Sequence, residues 1–504
     1  MTRYLLYAII GLMPLLAACR PSRSAVMDHA APLGRLPRIE PDYAGITLPP
    51  NIAPLDFKLL EPCRSFLAEF SSKNGAPLTI SGNGNTVRIP PGGWHRLLEA
   101  NKGQPLHLSL YFQDSSRRWF AAQTIDDTIA AAPIDRFVTY RLLNYLYNYS
   151  SDIRICERDL ESFRERTLLN GANYPWGCCN CHTPLNNDPG SFTEQSRSNV
   201  YGSTTLIARN GKITPISSRL GYTAWHPRGK LIAFSIYKVE QCFHAVGRNF
   251  IDVYDQHAGI VIFNTATNTL DSMPVLTDNR FLQTWPSWSP DGRFLYFCGA
   301  PVLWTDYTKS PPDNYDKVKY SLCRIPYNET DNSWGNVDSV LTTGESGLSI
   351  SQPRVSPDNR FLLFCMHERG AYPHTQKSSD LYMMDLGNRK TRQLDINSEY
   401  SESWHGWSSN GRWILFSSKR GGGIFTRLYF SYVDSSGYAH KQFILPQEDP
   451  SFYDSFVKCC NVPEFAVSAV KLNQRDMLRA IRSRFKIKVP VPAANASPLN
   501  LHFQ

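Results

Sequence analysis

The chain has 504 residues and a formal net charge of +9; 42% of its residues are hydrophobic, 12% aromatic and only 19% charged. So apolar and weakly charged a composition excludes a disordered, coiled-coil or collagen-like protein. A mean hydropathy of −0.34, with no internal apolar run near the ~18 residues a spanning helix needs, excludes a multi-span membrane protein. The length suggests about three domains, and 31 Gly with 35 Pro favour turn-rich β architecture. No Lys/Arg block is long enough to indicate nucleic acid. The densest basic stretch, Arg479 to Lys488, reads as a solvated face suited to an anionic membrane.

Arg3 precedes an apolar run from Tyr4 to Leu16, followed by Leu16-Ala17-Ala18-Cys19. A basic start, a short apolar stretch and small residues before a cut describe a secretory signal. The Cys after Leu-Ala-Ala resembles a bacterial lipobox, which implies cleavage before Cys19 and lipidation there. An ordinary signal peptide with an incidental Cys is the alternative. Residues 1–18 are thus expected to be a lipoprotein signal peptide and 19–40 a polar, Pro-containing tether. Residues 41–133 read as a small β-rich domain of short alternating strands around one helix at Trp94–Ala100. Residues 134–472 hold the repeats described below, and 473–504 a basic helix and a disordered tail.

Cys178-Cys179-Asn180-Cys181-His182 contains C-x-x-C-H, the attachment pattern of c-type haem. Two thiols three apart can each form a thioether with a vinyl group, and the following His lies under the iron as an axial ligand. The expected cofactor is therefore haem c, held by Cys178, Cys181 and His182 in a cassette spanning 171–201 between strands of the first blade. A structural disulfide and a zinc site are the alternatives; no second Cys/His pair sits at finger spacing. Residues 183–203 contain no His or Met, so a second iron ligand must come from afar. His244 and His405 rank first and His226 next; each can equally be a hydrogen-bonded core or loop residue.

The main organising signal is a repeat. Trp225-His-Pro-Arg-Gly-Lys-Leu-Ile-Ala-Phe234 recurs from Trp288 (WSPDGRFLYF), Val355 (VSPDNRFLLF) and Trp407 (WSSNGRWILF). Pro at the second and Gly or Asn at the fourth position of the turn suit a tight reversal, and the aromatic run that follows reads as a buried strand. Turn chemistry accounts for Asp291 and Asp358. Cys298 and Cys365 end such strands and read as buried thiols. One turn and about four strands per repeat describe a propeller blade. The extra length falls near 238–256, 300–318 and 367–378, carrying His244, His367 and His374; such insertions tend to gather on one face. Phe465 to Leu472 could close the ring.

These copies resemble the TolB-like (WD40-like) β-propeller repeat. The resemblance extends through Pro41-Asp42-Tyr43, Tyr140-Arg141-Leu142, Ser403-Trp404-His405-Gly406-Trp407, Leu445-Pro446-Gln447 and Asn461-Val462-Pro463-Glu464-Phe465. In this order they look like a family of TolB-like exported proteins of the Bacteroidetes, sometimes labelled cytochrome c biosynthesis proteins, over about residues 40–470. Members often carry a Met or His soon after C-x-x-C-H; this chain does not.

The expectation is an all-β protein: a five- or six-bladed TolB-like propeller preceded by a small β-rich domain. Functionally it reads as a lipid-anchored envelope protein, on the periplasmic side of the outer membrane, with haem c serving electron transfer or sensing. The alternative is a non-catalytic scaffold for envelope proteins or glycans with a structural C-x-x-C-H. A hydrolase is disfavoured, because only about 50 residues follow the last blade, with no G-x-S-x-G elbow.

Overall fold

A computed structural model describes residues 23–145, 152–244 and 251–489. The signal segment, Cys19 and the tail from 490 onward lie outside the described residues. Six antiparallel sheets follow one another in a ring. Blade 1 combines Phe137–Leu143, Arg154–Asp159 and Glu165–Asn170 with an innermost strand from the far end of the chain, Cys459–Ala466. That strand pairs antiparallel with Phe137–Leu143, so the ring is closed by its two ends. Closure comes a few residues before the predicted Phe465–Leu472.

Blade 2 has Cys178–Leu185 innermost, then Asp188–Ser198, Gly202–Arg209 and Lys212–Ser217. The inner strands of blades 3 to 6 are Gly221–Trp225, Phe281–Trp288, Ser349–Val355 and Glu402–Trp407. Neighbouring inner strands touch all the way round. The count is six.

The repeat motif makes the turn between the first and second strands of blades 3 to 6. In blade 4, Ser289 Oγ donates to Asp291 Oδ1 at 2.6 Å and accepts from Phe294 N at 3.0 Å. Blade 5 repeats this with Ser356, Asp358 and Phe361, and blade 6 with Ser408, Asn410 and Trp413. The last turn position is left-handed, at φ +68° in Gly229, +74° in Gly292, +58° in Asn359 and +66° in Gly411, which is why Gly or Asn stands there. After the turn, Phe234, Phe297, Phe364 and Phe416 are fully buried between blades.

The N-terminal region packs a seven-stranded sheet against the helix Pro91–Ala100, whose Trp94, Leu97 and Leu98 are buried. Its core runs on into blades 1 and 6 through Val138, Trp413, Phe430 and Phe443. Part of the expected tether is instead built in. Ala31–Pro32 pairs parallel with Phe120 and Ala121, Ile39–Glu40 pairs with Lys58 and Leu59, and Arg35 and Arg38 both reach Glu61. At the other end, the predicted basic helix is Gln474–Arg482, and Ile487–Lys488 joins the outer edge of blade 2. No helix among the described residues is long and apolar enough to cross a membrane.

Candidate functional site

Every inner strand breaks its register at a shared level, leaving two residues opposite one on the next strand; the blade-2 strand breaks it a second time between Pro184 and Leu185. The pairs are Tyr222-Thr223, Trp285-Pro286, Gln352-Pro353, Trp404-His405 and Val462-Pro463, and in blade 2 Asn180-Cys181. Such bulges re-aim side chains. Here they turn one ring of residues toward the propeller axis. In five blades the first bulge residue is left-handed, with φ between +45° at Tyr222 and +57° at Gln352. For Trp and Val this costs on the order of 1–3 kcal/mol. Blade 2 departs from the pattern, because Asn180 is not left-handed.

This places the C-x-x-C-H. It is not a cassette in a loop of the first blade, as its sequence suggests, but the inner strand of blade 2. His182 stands where Ala224, Ser287, Arg354 and Gly406 stand, and Thr183 occupies the repeat's Trp position. Cys181 faces the axis, whereas Cys179 is buried in the core shared by blades 1 and 2, its thiol on Ile153 O at 3.1 Å. Cys178 packs at that core's edge. Every cysteine among the described residues is a free thiol, so the Cys178–Cys181 disulfide is not formed. Among them no group of three or more His, Cys, Asp or Glu side chains is placed to hold a metal ion.

His182 is fully buried, pairs across the ladder with Glu194 and lies 6.0 Å from the Phe192 ring. Burial pushes its pKa down to about 4 and that of the buried Glu194 up to about 8, against hydrogen bonds from Ser196 that favour the carboxylate. Both ring nitrogens of His182 lack a well-formed hydrogen bond, the one feature here that suits an iron ligand. Space argues the other way. The axial cavity beside this strand measures about 40 Å³, room for a water molecule or two, whereas ligand pockets run to roughly 300 Å³ and more. As arranged, Cys178, Cys181 and His182 do not fit a covalent haem.

Of the three distant histidines, only His405 comes to the C-x-x-C-H strand, lining the same small axial cavity as Cys181. His226 takes the serine's place in the blade-3 turn, its Nδ1 accepting from Arg228 N at 3.3 Å and its ring 4.7 Å from Trp288. His244 lies on the blade-3 hairpin beside Asp252, at 3.0 Å. His405 lies in the blade-6 bulge rather than at a blade end. Its ring meets Leu363 O at 3.2 Å and the Cys365 thiol at 3.6 Å, and burial pushes its pKa down to about 3.

The insertions do gather on one face, because all three connect second to third strands of consecutive blades. The blade-3 insertion is a long hairpin, Leu231–Phe243 with Ile251–Asn264. Two aspartates on it tie the other two down. Asp252 accepts from Arg369 Nη2 at 3.0 Å and Tyr315 OH at 3.3 Å. Asp255 accepts from Tyr320 OH at 3.0 Å and Tyr372 OH at 2.5 Å. Burial raises the pKa of Asp255 to about 6, the two tyrosines and Arg219 opposing the shift.

The blade-5 insertion then closes the axis. Trp285 Nε1 donates to Ala371 O at 2.9 Å, and the His374 ring lies 5.5 Å from Trp404. The opposite mouth is crossed by Arg354 and Glu464 at 2.6 Å. A larger recess, about 420 Å³, opens between blades 1 and 6, walled by Phe163, Phe452, Tyr453 and Phe456 above Leu428 and Leu445. Asp252, Asp255 and Arg369 carry no motif and were not singled out by the sequence; only the lengths of the insertions signalled this region.

No family model matches the chain, and no curated protein matches it. Among solved structures it is similar to TolB from Acinetobacter baumannii, at 12% identity and a TM-score of 0.41 over 79% of this chain and 82% of that one. It is also similar to the tricorn protease, at 9% identity and a TM-score of 0.33 over 79% and 43%. The β-propeller domain of Myceliophteria thermophila Cps50 (Swd1) is similar at 9% identity and a TM-score of 0.31 over 63% and 90%. With six sheets closed into a ring around one axis, the chain is an all-β, six-bladed β-propeller.

Proposed function

We propose that the protein is a non-catalytic binding scaffold of the bacterial cell envelope, which recognises an envelope protein or a glycan on its insertion-bearing face. One observation carries this reading: three insertions from consecutive blades are locked by Asp252 and Asp255 into a single cap over a filled axis. A buried polar network of this kind orders a surface, and it leaves no open chamber at the axis for a substrate. Exposed Phe243 and the Tyr307 ring stacked on His257 at 4.7 Å give the cap aromatic contact points of the type enriched at interfaces. The recess between blades 1 and 6 offers a second place for a partner's side chain. Export and lipidation at Cys19, with the mature chain on the periplasmic side of the outer membrane, rest on the lipobox-like start alone.

A haem-dependent redox or sensing role is the competing reading, and it rests on the C-x-x-C-H spacing. It would require the inner strand of blade 2 to leave the ring. The deciding measurement is a haem stain and pyridine haemochrome spectrum of the chain made with its own N-terminal segment in a host that matures c-type cytochromes. The scaffold reading expects no covalent haem; a haem band lost on Cys178→Ala or Cys181→Ala would overturn it. A photo-crosslinking residue at Tyr307 should then capture an envelope partner that the same residue at Arg293, on the opposite face, does not.

A further inference from the structure

Between Lys471 and Lys488 stand seven Lys or Arg residues and one Asp, so much of the chain's excess positive charge lies in 18 residues. The helix Gln474–Arg482 buries Met477 and Ile481 in the core of blades 1 and 2. That leaves Arg475 and Arg479 exposed on its outer side. Arg479 and Arg482 also sit in its last turn, where cations complement the helix dipole. Beyond the helix the chain turns through Arg484 and Phe485 before pairing with blade 2.

Two loops of blade 2 flank that turn. Arg482 donates to Asn173 O at 2.7 Å, next to the loop that presents Trp176. Lys486 donates to Tyr201 O at 2.6 Å, next to Val200. Ser198 Oγ bonds Pro175 O at 2.6 Å and ties the two loops together. The result is an apolar crest inside a basic field: Phe485 is 93% exposed, Trp176 65% and Val200 64%. Trp176 is held with a left-handed backbone at φ +48°, so the chain accepts local strain as well as an exposed indole. Isolated exposed apolar residues need no explanation, but adjacent ones rimmed by cations do.

We infer that this corner of blade 2 docks on an anionic lipid surface, with Phe485, Trp176 and Val200 entering the headgroup layer and Arg475, Arg479 and Arg484 meeting lipid phosphates. Aromatic side chains favour the membrane interface, and basic segments near anionic lipid gain affinity with each charge. A nucleic acid fits less well, because Val200 offers nothing for a base to stack on and phosphates would not need the apolar crest. The inference does not rest on the scaffold reading or on lipidation.

The test is vesicle flotation of the full chain carrying Cys19→Ser, so that no acyl chain at that position contributes. Vesicles of phosphatidylcholine alone are compared with vesicles also containing phosphatidylglycerol, and the patch variants, which keep the same N-terminus, separate the patch's contribution from that of the basic, apolar N-terminal segment. Binding should favour the anionic vesicles and fall about fivefold for each of Arg475→Gln, Arg479→Gln and Arg484→Gln. It should fall roughly tenfold or more with Phe485→Ser plus Trp176→Ser, which at exposed positions leave the circular dichroism spectrum unchanged. Equal binding to both vesicle types overturns the inference. So does binding that depends on the arginines alone and is matched by RNA, which would make the patch a general polyanion surface.

Discussion

The two faces of the propeller are held in opposite ways. On the turn face, each repeat closes on itself: Ser289 bonds Asp291 and Phe294, two and five residues away, and blades 5 and 6 repeat the arrangement. On the cap face, Asp252 meets Arg369 and Asp255 meets Tyr372 across 117 residues. Local bonds form whatever the rest of the chain does, whereas the cap exists only once three blades stand side by side. The turn face is therefore repetitive, and the cap face is where this propeller is individual.

Four substitutions break or sharpen that contrast. The largest effect is expected from Asp255→Ala, which strands two buried tyrosine hydroxyls and should cost about 3 kcal/mol. The urea midpoint reads it, and Asp255→Asn should cost less. Next, His182→Gln probes the inner strand that departs from the other five. Because the folded pKa of about 4 lies below the free value of 6.5, the stability tied to neutral His182 is complete above pH 6.5 and is lost as pH falls through 4. Over that window the native chain should lose about 3 kcal/mol more than the Gln variant, as unfolding midpoints between pH 7 and 4 would show.

Arg369→Ala leaves a nearly buried Asp252 with its tyrosine and histidine neighbours only. A loss of about 2 kcal/mol is expected, with amide exchange rising together in the blade-3 hairpin and around residues 367–378. The smallest effect belongs to Asp291→Ala, about 1 kcal/mol, with faster exchange confined to its own turn. Should Asp291→Ala loosen the cap, or Arg369→Ala leave 238–243 unaffected, the division between local and long-range faces would fail.

The misplacement of the C-x-x-C-H has a specific cause. Five residues at that spacing read the same in a haem loop and in a β-strand, since spacing says nothing about register. A weak signal was present: Thr183-Pro184-Leu185-Asn186-Asn187 lies 42 residues before Trp225, one minimal blade. It is a degenerate copy of the repeat, with Asn186 and Asn187 left-handed at φ +48° and +62°, but it has lost the Trp, Ser and Pro that made the other copies visible. The place of His405 is hidden in the sequence for the same reason, since only the ladder of its neighbours with Ser417 and Leu415 shows that it sits in a bulge and not near a blade end.

By itself the sequence determined blades 3 to 6: turn residues at fixed offsets and buried aromatic strands are short-range properties, and they survive being read in one dimension. It also determined where the extra length lies. Tertiary structure alone decided the number of blades, the closing strand Cys459–Ala466, the filling of the axis and the meeting of Asp252 and Asp255 with Arg369 and Tyr372. Those contacts join residues far apart in the chain through single polar side chains, and no periodicity or motif announces a partner that only the closed ring brings near.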